Sequence, residues 1–408
     1  MTHRVAVTGL GAVSALGQGM GTNWAAVAEG RCGIRRLDRP LDDEPAWRMA
    51  GPAGFIDTLD TTALQARFGA RILAQLDPVA AYSVLASFEA LSDAGLIDDP
   101  VLDSRTAVLY GCGSGGNASN EVGYHRIYAK HSGGVHPLTI PKGMISAPAS
   151  HISMVFGIHG PAFVLSSACT SSAHALGEAM HMIRSGRVEA AVAGGAEAGL
   201  TLGNWAGWVA LRAMASDTCR PFSIGRQGLI LGEGACTLVL ERWDRAKARG
   251  ATIYGELVGY GASSDAMHLT APDAEGMRAA IAAAHGDAHL APATPVLISS
   301  HGTGTVLNDK TETQALKTFY GDALHNDLVI ATKSAHAHLI GGSGALEFAL
   351  GLLALRHGLA PPILNWTGRD KDCALPLALT PTPIDYDVVV SNSFAFGGLN
   401  AVLIGRRG

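Results

Sequence analysis

The sequence predicts an α/β fold in which one α/β unit occurs twice. Apolar runs of strand length alternate with stretches of helical period along the chain, and many of these runs end in glycine-rich turns. Segments also repeat. Thr106–Gly116 resembles Pro295–Thr305, the stretch around Cys169 matches Thr332–Leu350, and Ala190–Gly195 matches Val388–Gly398. The offsets, about 165 to 200 residues, are too long for a solenoid. They suit two halves, 1–245 and 246–408, each giving a mostly parallel sheet covered by helices.

In the first half, Val5–Gly11 reads as a strand ending in glycines, followed by a helix from about Gly21 to Glu29. Its Gly-x-Gly lacks the third glycine and acidic partner of a dinucleotide site. Residues 40–62 are polar and proline-bearing, a surface excursion. Leu76–Ala94 is an amphipathic helix, and Thr106–Tyr110 a strand running into Gly111–Gly116. Residues 117–150 show little periodicity and read as a long connection, of the kind that is usually functional or interfacial. The strand and helix around Cys169 follow, then the strand Ala190–Gly195, a loop carrying Trp205, Trp208 and Arg212, and the strand Cys236–Leu240.

The second half opens with the strand Ile253–Tyr260 and a helix from about Gly276 to Ala284. Val296–Ser300 is a strand leading into His301-Gly-Thr-Gly-Thr305, with a helix over roughly Lys310–Phe319. Val329–Lys333 is a strand, followed by His336, His338 and the helix Gly344–Arg356. Val388–Val390 runs into Ser391–Gly398, and Ala401–Ile404 is the final strand.

Composition narrows the function. Of 408 residues, 48% are hydrophobic and only 16% charged, which describes a globular chain without a disordered tail. A net charge of −5 speaks against a nucleic-acid binder. The six cysteines show no CxxC pair and no metal-ligand spacing. With a strand-like run at Arg4 in place of a signal peptide, they read as reduced thiols in a cytoplasmic protein. No apolar run approaches the ~20 residues that span a bilayer.

The chain is organised around Val164–Gly177. An apolar run stops at small residues, Cys169 follows, and Ala173, Leu176, Met180 and Ile183 then recur at helical spacing. A cysteine at a helix start meets unpaired N–H groups and the positive end of the helix dipole, which favour a thiolate. The alternative is a small buried core residue. Cys169, His301, His338 and Phe396 all fall just after strands, where ligands collect in such sheets. A single site is the economical reading.

Cys169 offers a nucleophile suited to a thioester, because exchange between sulfurs is nearly isoenergetic. Two neutral imidazoles donating through Nε2 would hold a developing oxyanion. Lys333, just after a strand, is a candidate buried cation pairing with Glu347 in an apolar helix; the alternative is a surface lysine. Thr303 and Thr305 are candidates to bond the amides of a pantetheine arm, or are turn residues. A cysteine–histidine pair also suits a hydrolase, although no Asn or Asp is obviously placed to orient a base.

Four motifs together resemble the β-ketoacyl-acyl carrier protein synthases, and most of all the elongating synthases I and II. They are Ser167-Ala-Cys-Thr-Ser171, His301-Gly-Thr-Gly-Thr305 with Asp309-Lys-Thr-Glu312, Thr332-Lys-Ser334 with His338-Leu-Ile-Gly341, and Asn392–Asn400. The likeness runs end to end. It implies a thiolase fold, with the duplicated halves forming a five-layered αβαβα core. It implies decarboxylative condensation of malonyl-acyl carrier protein with an acyl group on Cys169, in fatty acid or polyketide (polyene among them) biosynthesis.

The resemblance assigns Cys169 as nucleophile, its N–H and that of Phe396 as oxyanion hole, and His301 and His338 as the decarboxylating pair. Lys333 would support His338, and Phe396 would gate the second substrate. Thr303, Thr305 and Thr270 would hold pantetheine, with Cys112 and Ser114 at the acyl pocket. Arg212, Arg67 and Arg71 would contact an acidic acyl carrier protein.

No cofactor is implied beyond the carrier's phosphopantetheine. The partners implied are that carrier and a second subunit, either identical or a ketosynthase-like relative, with 117–150 packing across the two-fold. Several positions depart from the common pattern. Ala335-His-Ala-His338 replaces Met-Thr-Gly-His, with His336 the weaker candidate for the catalytic role. Ala395 replaces a glycine beside Phe396, which would stiffen the gate. Ser114 replaces a bulky isoleucine, and Val306-Leu-Asn308 is unusual. These differences hint at a specialised pathway. The competing readings are a non-elongating acyltransferase or hydrolase of the same fold, and a partner subunit that only shapes the acyl tunnel.

Overall fold

The computed structural model describes residues 2–41, 44–131 and 133–408. The first half supplies strands β1 (Val5–Ser14), β2 (Thr106–Gly111), β3 (Ala162–Leu165), β4 (Ala190–Glu197) and β5 (Gly234–Arg242). The second half supplies β6 (Gly255–Ser264), β7 (Leu297–Ser299), β8 (Leu328–Ile330), β9 (Val388–Ala395) and β10 (Leu399–Arg407). The order is β3-β2-β4-β5-β1 in one half and β8-β7-β9-β10-β6 in the other. Both are the same path, third-second-fourth-fifth-first, with the same parallel and antiparallel neighbours. The halves join edge to edge where Ala6 and Val7 of β1 oppose Glu256 and Gly255 of β6.

The principal helices are α1 (Pro78–Asp93), α2 (Ala147–Phe156), α3 (Ser171–Arg184), α4 (Leu202–Leu211), α5 (Ala274–Asp287), α6 (Val306–Tyr320) and α7 (Ser343–His357). Alternation along the strands sorts side chains between layers. In β2, Val108 and Tyr110 face α1 and α2, while Leu109 joins a core with Leu176 of α3 and Leu346 of α7. In β9, Val389 enters that same core, while Val388 and Val390 face α5 and α6. The result is five layers, α-β-α-β-α, with α3 and α7 in the middle. Sheets covered on both faces explain why the strands read as continuous apolar runs.

One sequence feature finds its reason here. A Cβ on Gly9 or Gly11 would lie 2.1 or 2.0 Å from the carbonyl oxygens of Ala90 and Ala86 in α1. The second half repeats the device, with Gly259 and Gly261 against Ala284 and Ala280 of α5. The first Gly-x-Gly therefore serves helix–strand packing, not a phosphate.

Three regions differ from expectation. Residues 117–150 are largely helical, with helices Asn117–Tyr128 and Thr139–Gly143 and the start of α2; residue 132 lies outside the described residues. The period is missing there because Val122, Tyr124, Ile127 and Tyr128 are exposed instead of facing a core. Within 40–62, Glu44–Ala53 pairs with Arg35–Leu41 as an antiparallel ribbon, with 42 and 43 outside the described residues. The stretch carrying Trp205 and Trp208 is the helix α4, which ends at Arg212 in the left-handed conformation (φ 56°). Among the described residues no helix is long and apolar enough to cross a membrane.

Candidate active site

Cys169 lies in a single 3-10 turn, Ala168–Thr170, between β3 and α3. Hydroxyls tie this turn. The Ser171 Oγ donates to the Ala168 carbonyl (2.6 Å) and accepts from the Ser167 N–H (2.9 Å), and the Thr170 hydroxyl donates to the Ser167 carbonyl (2.7 Å). Ala168 is held at φ 51°, a strained conformation for a residue with a Cβ. The small polar neighbours of the cysteine thus hold the sharp turn that aims the sulfur.

His301 follows β7 in a loop held by two buried carboxylates. Glu312 accepts the N–H groups of His301 (2.8 Å) and Gly302 (2.9 Å), and Asp309 accepts those of Gly304 (3.2 Å) and Phe222 (2.7 Å). Burial pushes Glu312 up to about 7 and Asp309 up to about 6, against the pull of those donors.

His338 is clamped through its backbone between Ile230 and Gly232 (2.8 and 2.9 Å). Its ring lies in line between two side chains, with Nε2 3.0 Å from Cys169 Sγ and Nδ1 2.8 Å from Ser343 Oγ. The His301 and His338 rings are 5.4 Å apart at 81°.

Lys333 is fully buried and is not a surface lysine. Its ammonium lies 2.5 Å from Glu347, 2.6 Å from the His301 carbonyl and 3.3 Å from His301 Nδ1. The resemblance puts Lys333 behind His338, whereas its hydrogen bonds to histidine go to His301. An ammonium can only donate, so His301 Nδ1 accepts and the ring proton sits on Nε2. The Cys169, His301 and His338 donor atoms lie within 4.8 Å of one another, a spacing that suits a metal ion. A protonated Nε2 beside a buried ammonium is nevertheless a hydrogen-bond donor, not a metal ligand.

Burial and the Lys333 charge hold both imidazoles well below the usual histidine range, so they are neutral. Burial pushes the Cys169 thiol up to about 12, with Lys333 opposing. The thiolate expected from the helix start is therefore outweighed by desolvation in the resting protein. His336 is separate. Its nitrogens meet the Ala337 carbonyl (2.7 Å) and the Thr332 hydroxyl (3.0 Å), as in a satisfied core histidine.

Cys169, His301 and His338 open onto a cavity of about 280 Å³ that Thr270, Thr303 and Thr305 also line. The two threonine hydroxyls of the 301–305 loop are 3.0 Å apart. Phe396 and the exposed Arg212 border the same cavity. Phe396 sits at the tip of the β9–β10 hairpin, with Gly397 and Gly398 at φ 85° and 70°, and stacks on Trp208 at 6.0 Å and 29°.

The remaining candidates lie apart from this cavity. Cys112 is buried in the outer core against α1 and α2. Ser114 bonds the buried Glu197, which also accepts N–H groups from Gly113 (3.0 Å) and Gly341 (3.1 Å). Arg67 pairs with Asp98, and Arg71 is exposed. Sequence reasoning missed Ser343, Glu197 and Trp208. Ser343 stands five residues after His338 without a motif to mark it, and only the turn at 340–342 brings its hydroxyl back to the ring.

Comparison with known proteins agrees with this geometry. The family models for the N-terminal and C-terminal domains of beta-ketoacyl synthase match residues 2–246 and 254–367. Nodulation protein E of Rhizobium meliloti (strain 1021) is 38% identical over 404 residues, covering 99% of each chain. The 3-oxoacyl-[acyl-carrier-protein] synthase 2 of Vibrio harveyi is 34% identical over 415 residues, again covering 99% of each. The solved structure of the ishigamide ketosynthase/chain length factor superposes with a TM-score of 0.91 at 32% identity, over 100% of both chains. Fold, site geometry and full-length similarity agree: the chain belongs to the β-ketoacyl synthase family of condensing enzymes.

Proposed function

We propose that this protein extends an acyl chain held on Cys169 by decarboxylative condensation with a malonyl thioester, both substrates being delivered on acyl carrier protein. The observation that carries the reading is the convergence of the Cys169 sulfur and two neutral imidazoles in the lining of one cavity.

In the first half-reaction the Cys169 sulfur attacks the acyl thioester and the S–H bond breaks. The proton passes to His338 Nε2, 3.0 Å away, and on to the departing pantetheine thiolate as the old C–S bond breaks. The Cys169 and Phe396 N–H groups hold the oxyanion. In the second half-reaction the malonyl thioester carbonyl lies against the Nε2–H groups of His301 and His338. The bond to the carboxylate breaks, CO2 leaves, and its electron pair forms an enolate that both imidazoles stabilise. The enolate carbon attacks the Cys169 thioester, the C–C bond forms as the acyl C–S bond breaks, and the released cysteine thiolate takes up one proton from solvent.

Thr303, Thr305 and Thr270 line the cavity, and in this reading they hold the pantetheine arm. Phe396 gates access, Arg212 meets the carrier at the mouth, and Arg67 and Arg71 add to that contact. Ser114 and Cys112 shape the acyl pocket, Ser114 through its bond to Glu197. In this reading the half spanning 1–245 carries the nucleophile and 246–408 the histidines. Assembly as a dimer through the exposed apolar face of 117–128 fits the same picture, with a second copy or a chain-length-factor-like subunit as partner. The intact Cys169, His301 and His338 favour catalysis over a purely structural role. Incubating the protein with acyl- and malonyl-carrier proteins tests the reading: a 3-oxoacyl product two carbons longer supports it, and release of free acid alone overturns it.

A further inference from the structure

His338 has two opposite tasks in the mechanism above, and the inference rests on that reading. Before acylation its Nε2 must accept a proton from the Cys169 thiol. After acylation the same nitrogen must carry a proton and donate to the enolate oxygen. The ring can do both only if the group on Nδ1 also reverses its role. A backbone carbonyl there would lock one tautomer and a backbone N–H the other, whereas a hydroxyl both donates and accepts. That group is Ser343, fully buried at the first residue of α7, with Oγ 2.8 Å from Nδ1.

We propose that Ser343 is a positioning residue that lets His338 switch tautomer between the two half-reactions. In the resting protein Cys169 S–H donates to Nε2 and Nδ1–H donates to Ser343 Oγ. A nitrogen lone pair accepts better than a thiol sulfur, so this arrangement is preferred over N–H donation to sulfur. Once the sulfur carries an acyl group, no S–H remains. By exchange with solvent Nδ1 then gives up its proton and Nε2 takes one, so the ring proton sits on Nε2 and the Ser343 hydroxyl turns to donate to Nδ1. No net proton is gained or lost at the ring between the two states.

The tautomer readout needs no turnover, so it is separable from the condensation reading. Nitrogen NMR of the full-length protein labelled with 15N-histidine, assigned with His338→Asn, reads the His338 tautomer before and after Cys169 is capped with iodoacetamide. The proton is expected to move from Nδ1 to Nε2 on capping. Ser343→Ala should abolish the switch and slow both acylation and malonyl decarboxylation about tenfold, with KM nearly unchanged and the melting temperature lowered by a few degrees because Nδ1 is left without a partner. Ser343→Thr, which keeps the hydroxyl, should restore both. The same tautomer before and after capping would overturn the proposal. So would a Ser343→Ala protein that switches and reacts like the parent.

Discussion

The Lys333 ammonium and the Glu347 carboxylate meet at 2.5 Å in the middle layer, with both side chains at most 1% exposed. Lys333 spends its other two donors on His301, at the carbonyl and at Nδ1. One cation therefore neutralises a buried carboxylate and fixes a catalytic tautomer. Lys333→Met strands Glu347 in the interior, a change that costs about 3–5 kcal/mol. The double change Lys333→Met with Glu347→Leu should recover most of that stability, because an apolar pair replaces an ionic one. It should not recover decarboxylation, since His301 has lost the donor that places its proton on Nε2. Thermal melts and malonyl decarboxylation rates on both variants check this; recovery of both together would contradict the assignment.

The two half-reactions share His338 but differ in their need for Cys169 and His301, and should come apart by substitution at those two positions. Cys169→Ala is expected to take no acyl group yet still decarboxylate malonyl-carrier protein. His301→Ala should acylate at close to the parent rate while decarboxylation falls by about 10²–10³, the usual effect of one lost oxyanion donor. With Nδ1 accepting from Lys333, His301 carries its proton on Nε2 and can only donate there, so it cannot take the thiol proton and the effects should separate. Measured CO2 release and intact protein mass decide the matter.

The resting thiol sets a pH dependence. With burial holding Cys169 up to about 12, the thiolate fraction rises with pH throughout the neutral range. Alkylation by uncharged iodoacetamide should therefore increase about tenfold per pH unit over roughly pH 6 to 9, without levelling off. The sign follows from desolvation, which penalises the charged sulfur and is only partly offset by Lys333. A plateau near neutral pH would mean a preformed thiolate and would remove the need for His338 as proton acceptor.

Much of this was legible in the residues, and the reasons are physical. Cys169 and His301 follow strand runs and precede helical periods, so their place at strand ends could be read directly. Lys333 and Glu347 could be paired because a carboxylate in an apolar helix demands a partner. What stayed hidden depends on folding back in space. The hydrogen bonds of Lys333 go to His301, its neighbour in the fold, although His338 is the histidine five residues away in sequence. The helix Asn117–Tyr128 left no period because its apolar side chains point outward. Ser343, just before the expected helix Gly344–Arg356, carries no mark of its bond to His338, and Ser114 gives no sign of its tie to Glu197.

The most direct test of the account is the intact mass of the purified protein, followed after addition of acyl-carrier protein and again after malonyl-carrier protein. The account predicts one acyl group added at Cys169, absent in Cys169→Ala, and its loss on malonyl addition with appearance of a product two carbons longer. An unmodified Cys169, or an acyl group discharged only to water, would contradict it.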